Sequence, residues 1–316
     1  MNFSDTEFYS DLAAEEYSKM EAEYAASHRG KPDGIAFRSF CERGMRCEEV
    51  RILTAEAALR FGKPRGTYLT LYSGVLSELD RAQLKSRVFQ LAKLIRRIAK
   101  KAAPGAERIL VCGLGNRQMT ADAIGPMVTD RLGATLHLAK TPQQLGANAL
   151  LCAFCPGVVG QTGIETAALC KGAVRAAEPE LVIVIDALAA REKERLFQTV
   201  QLCDSGLAPG GGVGNRRCAV NAESLGVPVM SIGVPTVIDA GALLSDVLQS
   251  ADFSPAALPA ENREKLETAF AQSKALFVMP GESDLWARLH AHLIAKALTK
   301  AFSGELIEEL SHDYAL

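Results

Sequence analysis

Short apolar runs along the chain alternate with longer segments in which apolar residues recur at helical spacing. The run at 181–185 is the clearest strand, because β-branched residues fill it without polar alternation, as in a buried parallel strand. Other predicted strands cover residues 48–56, 67–71, 108–112, 149–154 and 227–234. Predicted helices cover residues 76–102, 124–132, 165–177 and 262–300, the last broken at Pro280 and Gly281. This alternation predicts a three-layer α/β/α sandwich around a mostly parallel sheet, with extra N- and C-terminal elements.

Composition is that of an ordinary globular protein and argues against several classes of function. The chain has 316 residues, of which 48% are apolar and 23% charged, and its net charge is −2. Such a chain lacks the broad basic face typical of nucleic-acid-binding proteins. No apolar run is long enough to cross a bilayer, and the acidic first residues are not typical of a signal peptide. We therefore expect the eight cysteines to be reduced thiols in a cytoplasm-like compartment.

Functional loops of α/β sheets lie beyond the carboxyl ends of the strands. Three loops qualify, at 113–126, 186–191 and 233–239. Asp122 lies in the first loop, and Asp186 begins the second. Either residue alone is often a helix N-cap, but two carboxyl groups at one sheet edge can face each other across a cleft. One then acts as a general base and the other, protonated, as a general acid, which predicts a hydrolytic site.

Other chemistries fit the chain less well. Residues 113–116 resemble the start of a dinucleotide-binding loop, but Gln118 stands where the fingerprint requires glycine. Residues 209–215 resemble a phosphate loop without its Lys-Ser/Thr ending, and a surface loop is the simpler interpretation. There is no Gly-x-Ser-x-Gly motif, and no histidine lies in the three loops. The pair Cys152 and Cys155 has no second half, so we predict no metal site there.

Seven segments in sequence order resemble the germination protease family of spore-forming bacteria. They are GKPRGTYLTL (62–71), VCGLGN (111–116), TADAIGP (120–126), PGVVGQTGIE (156–165), VIDALAAR (184–191), PGGGVGNRR (209–217) and GVPVMSIGVPTVIDA (226–240). The C-terminal third is similar only loosely. Family members commonly carry proline where this chain has Ala121, a change that leaves the neighbouring acid in place.

The resemblance implies an atypical aspartic-type endopeptidase that degrades small acid-soluble spore proteins during germination. Its core is expected to resemble that of the hydrogenase maturation endopeptidases. It implies that Asp122 and Asp186 activate a water molecule, without a cofactor or metal. Asn116, Gln161 and Thr162 are expected to position the substrate or to stabilise the oxyanion.

The resemblance also implies a setting for the protein. It predicts a homotetramer in the cytoplasm of the forespore and in the spore core, which acts on proteins and not on nucleic acid or membranes. Two alternatives stay open. One is a metal-dependent maturation endopeptidase of the related family, although no histidine follows 184–191 nearby. The other is a non-catalytic nucleotide-binding module, favoured by the residues 113–116.

The resemblance further implies a zymogen that loses a short leader by cutting itself. We predict a propeptide at residues 1–11 and a single α/β catalytic domain at 12–316. The predicted cut is between Asp11 and Leu12, because the family cleaves after an acidic residue that precedes a large apolar residue and then alanine. Ala13 completes that pattern.

A competing cut between Glu7 and Phe8 departs from the pattern at Tyr9. At the favoured site we expect an exposed scissile bond, with the leader anchored by Phe3, Phe8 or Tyr9.

Overall fold

The computed structural model describes residues 9–27, 31–207, 219–251, 253, 258–273 and 276–303. The strands are β1 (Ile35–Glu42), β2 (Met45–Ile52), β3 (Gly66–Tyr72), β4 (Arg108–Gly113), β5 (Leu150–Phe154), β6 (Leu181–Ala190), β7 (Thr199–Cys203), β8 (Val229–Asp239) and β9 (Phe277–Val278). The helices are α1 (Ala13–Ala26), α2 (Ala55–Phe61), α3 (Arg81–Ala102), α4 (Ile124–Thr129), α5 (Val159–Thr162), α6 (Thr166–Ala177), α7 (Ala222–Leu225), α8 (Ala240–Ser250), α9 (Ala260–Ser273) and α10 (Ser283–Phe302).

The strands form one sheet, and its two halves differ in strand direction. The order is β1-β2-β3-β7-β8-β6-β4-β5, with β9 on the edge of β8. The half made of β8, β6, β4 and β5 is parallel. The half from β1 to β7 is antiparallel, and β7 joins β8 antiparallel. The predicted α/β class is thus confirmed, but the sheet is mixed and not mostly parallel, because the N-terminal hairpin and β7 extend it.

Side-chain alternation along the central strands places a helical layer on each face of the sheet. On β4, Ile109 and Val111 face the core shared with α3, α4 and α10. Leu110 and Cys112 face the opposite way, into a core shared with α6 and α7. Across the antiparallel half, that second face packs against α1 and α2. The three layers predicted from the strand–helix alternation are therefore present.

Strands β6 and β8 run further than the sequence pattern indicates. The predicted loops 186–191 and 233–239 are largely strand, because the two chains stay paired from Asp186 opposite Gly233 to Ala190 opposite Ile238. A register shift between Leu188 and Ala189 interrupts this ladder. Asp186 therefore lies inside a strand and not at its end.

Other boundaries depend on local signals. The predicted helix 76–102 begins as α3 only at Arg81, because Asp80 caps it in a reciprocal pair with Gln83. The break predicted within 262–300 is confirmed, and β9 lies in it. The strands β1 and β7 and the helix α2 were not predicted. Residues 1–8 and the glycine-rich segment 209–215 lie outside the described residues.

His290 illustrates how α10 is buried against the sheet. Its side chain is fully buried, and Nδ1 lies 2.9 Å from the Trp286 carbonyl oxygen while Nε2 lies 3.4 Å from Ser73 Oγ. Burial lowers the pKa of His290 to about 4, although its hydrogen bond with the Trp286 carbonyl raises the pKa slightly. This histidine is a core residue and not a catalytic base.

We expect His290 to make the folded protein less stable in acid. Below the ordinary histidine pKa of about 6.5, His290 binds a proton in the unfolded chain, whereas in the folded chain it stays neutral until about pH 4. The free energy of unfolding should therefore fall by about 3 kcal/mol from this residue as the pH drops through that window. Urea unfolding of His290→Gln should show a shallower pH dependence, whereas the exposed control His137→Gln should match the wild type.

Candidate active site

The candidate site lies where β4 ends and β6 continues. The last pair between them joins Gly113 and Ile185, and the next main-chain bond runs from Leu114 N–H to the Ile185 carbonyl at 2.8 Å. Asp186 is the first residue of β6 beyond this point, and it is 8% exposed. The Ala187 N–H donates to Asp186 Oδ1 at 2.9 Å, which orients the carboxylate. A buried acid therefore occupies the carboxyl edge of the parallel half.

Asp122 is brought to the same edge by a close backbone approach. It lies in a 3₁₀ turn (Thr120–Asp122), and α4 follows directly. A Cβ atom on Gly125 would lie 2.2 Å from the Leu114 carbonyl oxygen and 2.6 Å from that of Ile185. Gly115 has a φ of +112°, and a Cβ atom on it would lie 2.0 Å from the Asp122 carbonyl oxygen. Only glycine at these positions lets the turn sit directly on the ends of β4 and β6.

Two further contacts hold the turn from its other sides. Thr236 of β8 donates its hydroxyl to the Ala121 carbonyl at 2.6 Å. Thr120 donates to a carboxylate oxygen of Asp284, at the start of α10. The turn that carries Asp122 is thus fixed between two strands and a helix of the core.

The polar residues predicted beside the acids divide into two groups. Asn116 donates its main-chain N–H to Asp122 Oδ2 at 2.8 Å, and its side-chain oxygen accepts from Gln161 Nε2 at 2.8 Å. These two therefore form a chain of hydrogen bonds that ends on the acid. Thr162 instead uses its hydroxyl within its own turn, with Val158 and Ile164 as partners.

The residues near the acids do not form a metal centre by themselves. Within the described ranges, no group of three His, Cys, Asp or Glu side chains is placed to bind a metal ion. The seven cysteines in that part of the chain are all free. None of its helices is both long and apolar enough to span a membrane.

Comparison with known proteins decides the family. The family model described as germination protease matches residues 11–264 of the chain. The chain belongs to the germination protease family. It is therefore a protease, and the resemblance seen in the seven segments is confirmed.

Individual relatives agree with this assignment. The chain is 44% identical to the germination protease of Caldanaerobacter subterraneus over 219 residues, which are 68% of this chain and 67% of the relative. It is 38% identical to that of Clostridium perfringens over 71% of this chain and 70% of the relative. It is 38% identical to that of Priestia megaterium over 75% of this chain and 65% of the relative.

A solved structure with some likeness is the [NiFe] hydrogenase maturation protease HycI from Thermococcus kodakarensis. It is 21% identical, covers 65% of this chain and 99% of its own, and has a TM-score of 0.33.

The end of the predicted leader lies along β6, just past the buried acid. The Asp11 N–H donates to the Ala189 carbonyl at 2.9 Å, and the Ala189 N–H donates to Asp11 Oδ2 at 2.8 Å. Tyr9 donates its hydroxyl to the Asp11 carboxylate. Burial raises the pKa of Tyr9, and the negative charges of Asp11, Glu16 and Asp186 raise it further, so this ring lies within the field of the buried acid.

The predicted scissile bond is buried and not exposed. Leu12 has no exposed surface and packs with Leu188, Leu196 and Ile238. The hydrogen bond of Tyr9 goes to Asp11 within the leader itself, so anchoring by Tyr9 stays a prediction, and Phe3 and Phe8 lie outside the described residues. The expectation of exposure was wrong because Leu12 is the N-cap of α1, and that helix closes one face of the sheet.

A buried ionic cluster, centred on Arg195, joins the start of α1 to the segment after β6. Arg195 Nε lies 3.4 Å from Glu15 Oε1, and Arg195 Nη1 lies 3.1 Å from Glu48 Oε2. Glu15 also accepts the main-chain N–H groups of Arg191 and Glu192, at 2.8 and 2.9 Å. Burial raises the pKa of the Glu15 carboxyl, although these donors and Ser10 pull it down.

Proposed function

We propose that this chain is an endopeptidase that starts the degradation of small acid-soluble spore proteins, with Asp122 and Asp186 activating a water molecule. The observation that carries the proposal is the shared sheet edge. Gly125, in the helix that directly follows the Asp122 turn, lies against the Ile185 carbonyl, one residue before Asp186. Two carboxyl groups so placed serve as base and acid in peptide hydrolysis.

Each acid is held by a main-chain donor, which suits a fixed catalytic pair. The Asn116 N–H orients Asp122, and the Ala187 N–H orients Asp186. The carboxylate takes a proton from water as the oxygen attacks the scissile carbonyl carbon. The protonated partner gives its proton to the leaving amine. Asn116 and Gln161 are proposed to position the substrate chain through the loop that they brace, together with Thr162 at its far end.

The protein is further proposed to be made as a zymogen and to cut itself between Asp11 and Leu12. The contact of Asp11 with Ala189, three residues after Asp186, supports this assignment. N-terminal sequencing after incubation should find a mature chain that begins at Leu12. Asp186→Asn should stay full length, and a mature chain beginning at Phe8 would contradict the assignment.

The same preparation tests the substrate and the chemistry. We expect the processed protein to cleave a purified small acid-soluble spore protein, and to do so equally well after treatment with a metal chelator. Loss of cleavage on chelation, restored by one added metal, would favour the metal-dependent alternative. Stabilisation against heat by a nucleotide, without any cleavage, would favour the binding module instead.

The oligomeric state and the compartment are also proposed from the family. We infer a homotetramer that works in the cytoplasm of the forespore and in the spore core. Sedimentation of the purified chain tests the assembly, and a monomer at micromolar concentration would contradict it.

A further inference from the structure

Gln201, on β7, holds the leader by its main chain on both sides of Leu12. Its amide nitrogen Nε2 donates to the Asp11 carbonyl at 3.1 Å, and its amide oxygen Oε1 accepts from the Ala13 N–H at 2.8 Å. The side chain is itself buried, with 7% exposed. Its donor therefore lies on the carbonyl oxygen of the bond that the proposed function assigns for cleavage.

Strand register places Gln201 in the same row as the buried acid. Gln201 pairs with Gly233 across β7 and β8, and Gly233 pairs with Asp186 across β8 and β6. The Cα atoms of Gln201 and Asp186 are thus two strand spacings apart, roughly 10 Å. Paired residues point to the same face of a sheet, so both side chains project toward the layer in which α1 lies.

The residue between them leaves room for a neighbouring side chain over that row. Gly233 has no side chain, and the space above it is taken by Leu188, which a Cβ atom would meet at 2.4 Å. Leu188 in turn packs against Leu12. The segment 11–13 therefore crosses the sheet face beside this row, with its main-chain polar groups held by Gln201.

We propose that Gln201 is a catalytic residue whose Nε2–H stabilises the oxyanion at the scissile carbonyl, an inference that rests on the proposed function. Water adds to the Asp11 carbonyl carbon, and the carbonyl oxygen takes the negative charge beside Nε2. The C–N bond then breaks, the Leu12 nitrogen leaves as an amine that gains a proton, and Asp11 ends in a carboxylate. A donor already aimed at this oxygen needs no reorganisation in the transition state.

Two substitutions separate this role from a structural one. Gln201→Glu is isosteric and keeps an oxygen for the Ala13 N–H, but its carboxylate cannot donate to an oxyanion. Gln201→Met matches the length without any charge, and serves if the buried carboxylate unfolds the first variant. For each, the first-order rate at which the full-length protein cuts itself between Asp11 and Leu12 is measured as a function of pH, alongside the thermal unfolding midpoint.

We expect the rate of self-cutting to fall about 10²- to 10³-fold in both variants at pH 7. In Gln201→Glu, the ratio of its rate to that of the wild type should rise as the pH falls, because the protonated carboxyl regains a donor. A near-wild-type rate in a folded variant, or a Gln201→Glu ratio that does not change with pH, would overturn the assignment. Self-cutting that persists in Asp186→Asn would overturn the proposed acid pair but not Gln201, which the ratio of rates tests separately. A wild type that does not cut itself at this bond would overturn both.

Discussion

Replacing Asp186 or Asp122 by asparagine should lower kcat for peptide cleavage by about 10²- to 10⁴-fold, the usual contribution of a general acid or base. The amide has nearly the same shape as the carboxylate but cannot accept a proton from water. An asparagine oxygen still accepts the Ala187 or Asn116 N–H bond, so the turn and strand keep their anchors. We expect the thermal unfolding midpoint to stay close to that of the wild type.

Asp130→Asn supplies the matched control for this experiment. Asp130 is an exposed acid just after α4, and its partner is the exposed Arg117. Its loss should leave kcat unchanged, since an exposed carboxylate paired with an exposed arginine contributes little beyond that pair. Near-wild-type cleavage in either Asp122→Asn or Asp186→Asn would exclude that residue from the chemistry.

Replacing Arg195 by methionine should destabilise the fold by about 3–5 kcal/mol, because it removes the cation beside the buried Glu15 carboxylate and leaves Glu48 with only the exposed Arg46. The Arg195 side chain is 5% exposed, and those of Glu15 and Glu48 are 1% and 3% exposed. The remaining hydrogen bonds of Glu15, from two main-chain N–H groups and the Ser10 hydroxyl, do not replace a full charge. Urea unfolding at pH 7 measures the loss directly.

Arg46→Met tests whether the contribution of Arg195 to the free energy of unfolding depends on its burial. Arg46 contacts the same Glu48 carboxylate, but its own side chain is 57% exposed. Exposed ion pairs contribute at most about 1 kcal/mol, so this variant should unfold close to the wild type. If the two variants lost equal amounts of unfolding free energy, burial of the Arg195 cation would add nothing to the stability of the cluster.

Much of the parallel half could be predicted because its strands carry unbroken apolar runs, at residues 109–112, 149–154 and 181–185. The strands predicted at 108–112 and 149–154 are observed to within one residue, and β6 begins at the predicted Leu181 but continues to Ala190. The half-exposed strands carry no such signal. In β1, Arg38 and Ser39 interrupt the apolar residues, and β7 is a five-residue strand whose pairing with β3 and β8 depends on distant segments.

The candidate acids were predictable for the same reason, and their surroundings were not. Asp122 and Asp186 stand next to apolar strands in the sequence, so the rule about carboxyl ends of strands selects them. Gln201 was missed because it lies inside an unpredicted strand. Its contacts with Asp11 and Ala13 span about 190 residues of chain, a separation that leaves no local pattern.

By itself, the sequence determined the α/β class, the layers and the family, and it selected the two candidate acids, because burial and local motifs leave a recognisable pattern in the residues. Tertiary structure alone decided that β6 and β8 continue past Asp186, that the leader bond is buried, and that Gln201 reaches its carbonyl. These features depend on which strands become neighbours and on how closely glycines let backbones approach. Such distances arise only when the whole chain packs.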